Sequence, residues 1–203
     1  MGAYTNQDID FVFRTQQLLK QYEKIKENNE IEGYEFTLLM NCFVGLLIIP
    51  QQANENKRRE SEYLINLLPK EEINERTYGI NPDDIKICVG ISENGKPKPE
   101  IDKTVRNVIR HFRNSVAHNR FEVKSESKKI SSVIFRDYDS NNENAKQTFQ
   151  LEITATKIYN FALKISDCFL NAMANEEGSS SFKFHKEQEE NFTYQEIRRM
   201  DIH

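Results

Sequence analysis

From Tyr34 to Ile49 the chain is apolar on almost every side of a helix. The rest of its 203 residues are poor in such material: 37% of the sequence is hydrophobic and 30% charged. A helix that is apolar all round has to be central, with one-sided helices packed about it. Its continuous stretch, Leu38 to Ile49, is interrupted by Asn41 and is too short to cross a bilayer. Pro50 is expected to end it.

The segments on either side supply partners of the required kind. Asp8 can cap a first helix to about Asn28, with Phe11, Leu18, Tyr22 and Ile25 at helical spacing beside Val12 and Leu19. Gly33 separates it from the central helix. A third main helix is expected from Glu100 to about His118, with Val105, Val108, Ile109, Phe112 and Val116 as its buried stripe. A fourth is expected over Thr156 to Ala174, with Ile158, Phe161, Ala162, Ile165 and Phe169 inward. Short helices are expected at Glu62–Leu68 and from Asn81-Pro82-Asp83-Asp84, where asparagine caps and proline fills the first turn. The prolines in Asn94–Pro99 bias the residues before them toward extended shapes, so this stretch reads as a loop.

Two segments carry strand signals. Lys128–Arg136 is one; in Lys146–Thr154, Phe149, Leu151 and Ile153 alternate with Gln150, Glu152 and Thr154. The polar turn Asp137–Asn144 joins them into a hairpin. The expected architecture is mainly all-α: an antiparallel four-helix-type bundle over residues 1–174, with short extra helices and a β-hairpin inserted at about 128–154. Residues 175–203 read as a polar tail, with a docking helix from about Tyr194.

Three cysteines, Cys42, Cys88 and Cys168, lie far apart, and an odd number argues against a disulfide framework. Met1 to Phe13 has neither the basic start nor the apolar stretch of a secretory leader. A reduced cytoplasmic setting, off the membrane, is the expectation. With 7 glycines and no Gly-rich loop, a P-loop or Rossmann turn is excluded. No close cluster of His, Cys and carboxylates suggests a metal site, and no cofactor is expected.

The net charge of −4 hides an uneven distribution. Lys103, Arg106, Arg110, Arg113, Arg120 and Lys124 face Glu122 alone between residues 103 and 124, a local +5. A basic face on an acidic body suits local engagement of phosphate; a solvated face paired with the chain's own acids is the alternative. Within this stretch runs Arg113-Asn114-Ser115-Val116-Ala117-His118. Arginine grips a phosphate with a planar fork of donors, and histidine exchanges a proton near neutral pH. At about 100° per residue, His118 lies about 40° from Asn114 and about 20° from His111, but Arg113 is about 140° away. Either the helix ends near His118 and frees it, or a second subunit brings its own copy.

The Arg-Asn-x-x-Ala-His pattern, closing an amphipathic helix flanked by aromatics, resembles the mark of the HEPN family. The run Leu39–Pro50 is similar to the second-helix pattern of a bacterial HEPN subgroup that carries a hairpin after the motif. The resemblance covers roughly residues 8–174. It implies a helical bundle and a metal-independent endoribonuclease, used as a toxin or defence effector, in which the ribose 2′-hydroxyl attacks the adjacent phosphate. The products are a 2′,3′-cyclic phosphate and a 5′-hydroxyl end. In that scheme His118 is the general acid or base, Arg113 stabilises the phosphorane, and Asn114 orients His118 or the phosphate. Arg106, Arg110, His111 and Arg120 are the expected RNA contacts. The resemblance also implies a homodimer that brings two motifs together; an antitoxin or other regulatory partner would accompany the toxin reading, and the sequence does not reveal whether there is one. A catalytically inactive RNA- or nucleotide-binding module, or a protein-interaction module docked through its tail, remain alternatives.

Overall fold

The computed structural model describes residues 7–28, 35–52, 68–92, 96–126, 129–142 and 144–176. Its helices are α1 (Gln7–Asn28), α2 (Glu35–Gln52), the single turn α3 (Glu75–Tyr78), α4 (Val105–Ala117) and α5 (Ala155–Glu176). Its strands are β1 (Ile85–Ile91), β2 (Pro97–Ile101), β3 (Phe121–Glu126), β4 (Lys129–Tyr138) and β5 (Gln147–Ile153). The strands form one antiparallel sheet in the order β2-β1-β5-β4-β3.

The apolar run becomes α2 and is central, as its composition requires. Phe43 is almost fully buried and meets Phe112 of α4, Phe135 of β4 and Phe161 of α5 at ring separations of 5.3, 6.0 and 6.1 Å. All three contacts are edge-on, the arrangement that aromatic quadrupoles favour. Gly45 allows the close approach of α1: a Cβ there would come within 3.0 Å of the Phe11 ring. The helix continues two residues past Pro50, since a proline in the last turn removes one hydrogen bond without ending the element.

The mainly all-α expectation is overturned by the five-stranded sheet. The two strands of the expected hairpin are present as β4 and β5, but they are the middle of a larger unit. β1 follows a 3-10 turn, Pro82–Asp84, capped by Asn81; the cap signal was real but opened only that turn. Ile85-Lys86-Ile87-Cys88-Val89-Gly90-Ile91 is then a strand rich in β-branched residues. β2 holds Pro97 and Pro99, tolerable because it lies at the sheet edge with every residue exposed. β3 is the opposite edge and is separated from α4 by only three residues. The strands beyond the expected hairpin are therefore the two edges, β2 and β3, and the partly buried β1.

One sheet face packs on the helices. Val133, Phe135 and Asp137 of β4 and Phe149, Leu151 and Ile153 of β5 lie on it and are buried. The other face carries polar pairs around the buried Ile134: Lys124 pairs with Glu152, Ser132 donates to Glu152, and Arg136 pairs with Glu122. The expected helices at Glu62–Leu68 and from Tyr194, and the tail as a whole, lie outside the described residues or at their margin.

Candidate nucleic-acid site

Thr104 caps α4, accepting from the Asn107 amide. The helix starts later than Glu100 because Pro97–Ile101 is committed to the sheet. It closes on His118 by a Schellman arrangement: the Asn119 amide donates to the Val116 carbonyl (3.1 Å) and the Arg120 amide to the Ser115 carbonyl (2.6 Å). That turn needs a left-handed residue, supplied by Asn119 at φ 53°; asparagine is the non-glycine residue that adopts it most readily. His118 is thus the helix C-cap. Its side chain is exposed and makes no hydrogen bond to any described residue.

Asn107, His111 and Asn114 fall within about 60° of one another on the helix, and His118 continues their line. The first three face the sheet. The Asn107 amide donates to the carbonyls of Val89 (3.0 Å) and Asp102 (2.7 Å) and accepts from the Ile91 amide (3.0 Å). His111 is fully buried, stacked on Phe149 with ring centres 4.9 Å apart. Its Nε2 lies 2.8 Å from the Val89 carbonyl and its Nδ1 2.9 Å from Oδ2 of Asp137. Both partners are acceptors when Asp137 is ionised, so both ring nitrogens must carry protons for the two bonds to form.

Asp137 is the centre of the site and was not a candidate in the sequence, where it counted as the first residue of a polar turn. Its oxygens accept from His111, from Nδ2 of Asn114 (3.0 Å), from Arg120 (3.2 Å) and from the Tyr138 amide (2.9 Å). Burial works to raise its pKa. The hydrogen bonds from His111 and Asn114, the field of His111 and the Tyr138 amide outweigh burial and hold the carboxyl below its ordinary range. A signal for it did exist. Val133 and Phe135 alternate onto the buried face, and two more residues of strand put Asp137 there too.

Asn114 in turn accepts from Arg113 through Oδ1, at 3.2 Å from Nε and 3.0 Å from Nη2. In the structure the Asn114 amide joins Arg113 to Asp137. The expected RNA contacts divide. His111 is buried with both nitrogens engaged, so it has no group to offer at the surface. Arg120 bonds Asp137, the Ser140 carbonyl and Asn141, and lies over the Tyr138 ring at 5.1 Å. Arg106 donates to the Leu68 carbonyl (3.1 Å); burial, then the neighbouring Arg110 charge, lower its pKa. Arg110 reaches the Ile91 carbonyl at 3.4 Å, a long contact. Among the described residues no three His, Cys, Asp or Glu side chains gather as a metal site requires, and no helix is long and apolar enough to cross a membrane.

The helix thus ends in a cap on His118, five residues after an arginine bonded to its neighbouring asparagine. The family model described as HEPN pEK499 p136 matches residues 1–176, and the chain belongs to that family. No curated protein and no solved structure matches it.

Proposed function

We propose that the protein is a metal-independent endoribonuclease that cleaves RNA by attack of the 2′-hydroxyl on the adjacent phosphate. The observation that carries this reading is the contrast within the motif: Arg113 has its guanidinium held by Asn114, whereas His118 sits exposed at the helix cap with no described partner. The first suits a group that must stabilise charge building on phosphorus, the second a group that must give and take a proton. Family membership supports the same assignment.

Arg113 and His118 diverge on one helix, so the reading includes a two-fold dimer in which each copy's arginine works with the histidine across the axis. RNA between the motifs relieves their mutual repulsion. A cytoplasmic toxin or defence role, with an antitoxin as partner, completes the proposal. The second reading is a HEPN-like module that binds RNA without cutting it; the engagement of Arg106 and Arg120 by the protein itself favours it, because that leaves a smaller basic surface.

The test is the series Arg113→Ala and Arg113→Lys, with cleavage rate and RNA affinity measured separately. Alanine should lower both. Lysine should recover affinity but not rate, since an ammonium lacks the planar fork. Equal rates with lysine and arginine would reduce the residue to bulk charge. Sedimentation of an active monomer at assay concentration would remove the two-fold site.

A further inference from the structure

We propose that Asp137 is the positioning residue of the motif: as a group that only accepts, it fixes which way the Asn114 amide points and, through it, the Arg113 guanidinium. The inference rests on the nuclease reading for its kinetic readout, but the geometry stands independently. Oδ2 of Asp137 faces Asn114 at 3.0 Å, and an ionised carboxylate has no proton to give. The amide must therefore turn Nδ2 inward, which turns Oδ1 outward onto Nε and Nη2 of Arg113. Two donors of a planar fork on one oxygen set the plane of the guanidinium. The carboxylate is itself buried and multiply bonded. It sits on β4 opposite Phe149 of β5, at the edge of the His111 ring, and is held by His111, Arg120 and the Tyr138 amide.

A purely electrostatic view and a positioning view differ in sign. Neutralising Asp137 makes the site more positive, so charge alone predicts RNA affinity unchanged or tighter. Positioning predicts a slower reaction regardless. Asp137→Asn should therefore lower kcat roughly 100-fold, the scale of a small misplacement of a catalytic group, without weakening RNA binding.

Asn114→Asp gives a second signature. Its new carboxyl faces the Asp137 carboxylate, and like charges so close cannot both be ionised. Once protonated, the new carboxyl donates to Asp137 and accepts from Arg113, as the amide does. Its rate relative to wild type should then recover as pH falls. In the Asn114→Asp/Asp137→Asn double variant the amide at 137 can donate outward, and the acid dependence should vanish. The charged groups around position 137, namely His111, Arg120 and, beyond Asn114, Arg113, are the same in both backgrounds.

The experiment is RNA cleavage by the four full-length proteins across pH, with thermal unfolding to establish that each is folded. A folded Asp137→Asn with wild-type kcat overturns the proposal, as does acid recovery that persists in the double variant. Should Asp137→Asn not fold, the Asn114→Asp profile decides alone, and a pH-independent ratio to wild type overturns the inference. Should wild type not cleave RNA, the nuclease reading falls, and hydrogen exchange at the Arg113 Nε–H carries the test. Slow exchange in wild type that becomes fast in Asp137→Asn, or in Asn114→Asp at high pH, supports positioning; equal exchange in all overturns it.

Discussion

The two ends of the polar line along α4 have opposite fates. Its inner part, Asn107, His111 and Asn114, is saturated: almost every donor and acceptor is used against β1 or Asp137 of β4. Its outer end, His118, uses only its backbone, donating to the Asn114 carbonyl to close the helix. Residues of one type on one helical line, His111 and His118, thus differ in depth: one is locked in the core and the other stands exposed at the helix cap. A histidine with both nitrogens bonded in the core cannot reach a substrate; one at an exposed cap has little else to do.

The largest effect should come from removing the outer end. His118→Ala is expected to abolish cleavage, a loss at the upper end of the roughly 10²–10⁴-fold span of general acid–base catalysis or beyond. Its folding stability should move by no more than about 0.5 kcal/mol, as for other surface substitutions. Chemical denaturation beside a single-turnover assay reads both, and a folded variant with full activity would take His118 out of the chemistry.

Removing the inner end should show the reverse emphasis. His111→Ala leaves Asp137 buried without its main partner and deletes the ring stacked on Phe149. Breaking a buried pair costs about 3–5 kcal/mol, and the lower figure is expected because Asn114 and Arg120 remain. A denaturation midpoint close to wild type would mean that the inner network contributes little to stability.

A milder probe is acid. Because the folded carboxyl of Asp137 lies below its unfolded value near 3.9, its stabilisation is complete above that value and is lost as pH falls through the folded one. Asp137→Asn should flatten this acid limb, while stability above the limb falls by the lost charge–charge contacts. Thermal melts from pH 6 to pH 2 would show it; identical slopes in both proteins would contradict a depressed carboxyl.

The smallest effect concerns the basic surface. If RNA is held at Arg113 with help from Arg110, log affinity should fall with log salt at roughly −0.7 per neutralised phosphate. Charge reversal at Arg110 should flatten that slope by about one contact. Reversal at Arg106, whose guanidinium is bound to the Leu68 carbonyl, should do less. Equal effects at the two positions would show that the basic stretch acts only as a diffuse field.

The same contrast explains what could be read from the sequence. The helices and the outer end of the motif follow from local rules: apolar spacing marks α1, α2, α4 and α5, and the Asn119 turn frees His118. The inner end depends on a contact between α4 and β4, 23 residues apart along the chain at Asn114 and Asp137. No local pattern announces such a partner. Asp137 looked like a turn residue because it is charged and followed by Tyr138-Asp139-Ser140-Asn141-Asn142, and only the parity of β4 shows that it faces inward. β1, β2 and β3 were hidden for related reasons: a cap that opens one 3-10 turn, prolines that an edge strand tolerates, and charges on a strand whose outer face is wet.

On the proposed reading, the exposed His118 and the held Arg113 cut RNA without a metal. The direct measurement is incubation of the pure protein with end-labelled RNA in excess EDTA, followed by analysis of the product ends. Cleavage should persist in chelator and leave 2′,3′-cyclic phosphate and 5′-hydroxyl ends, with a matching DNA strand bound but uncut. RNA left intact, or cleavage that EDTA abolishes and a divalent ion restores, would contradict it.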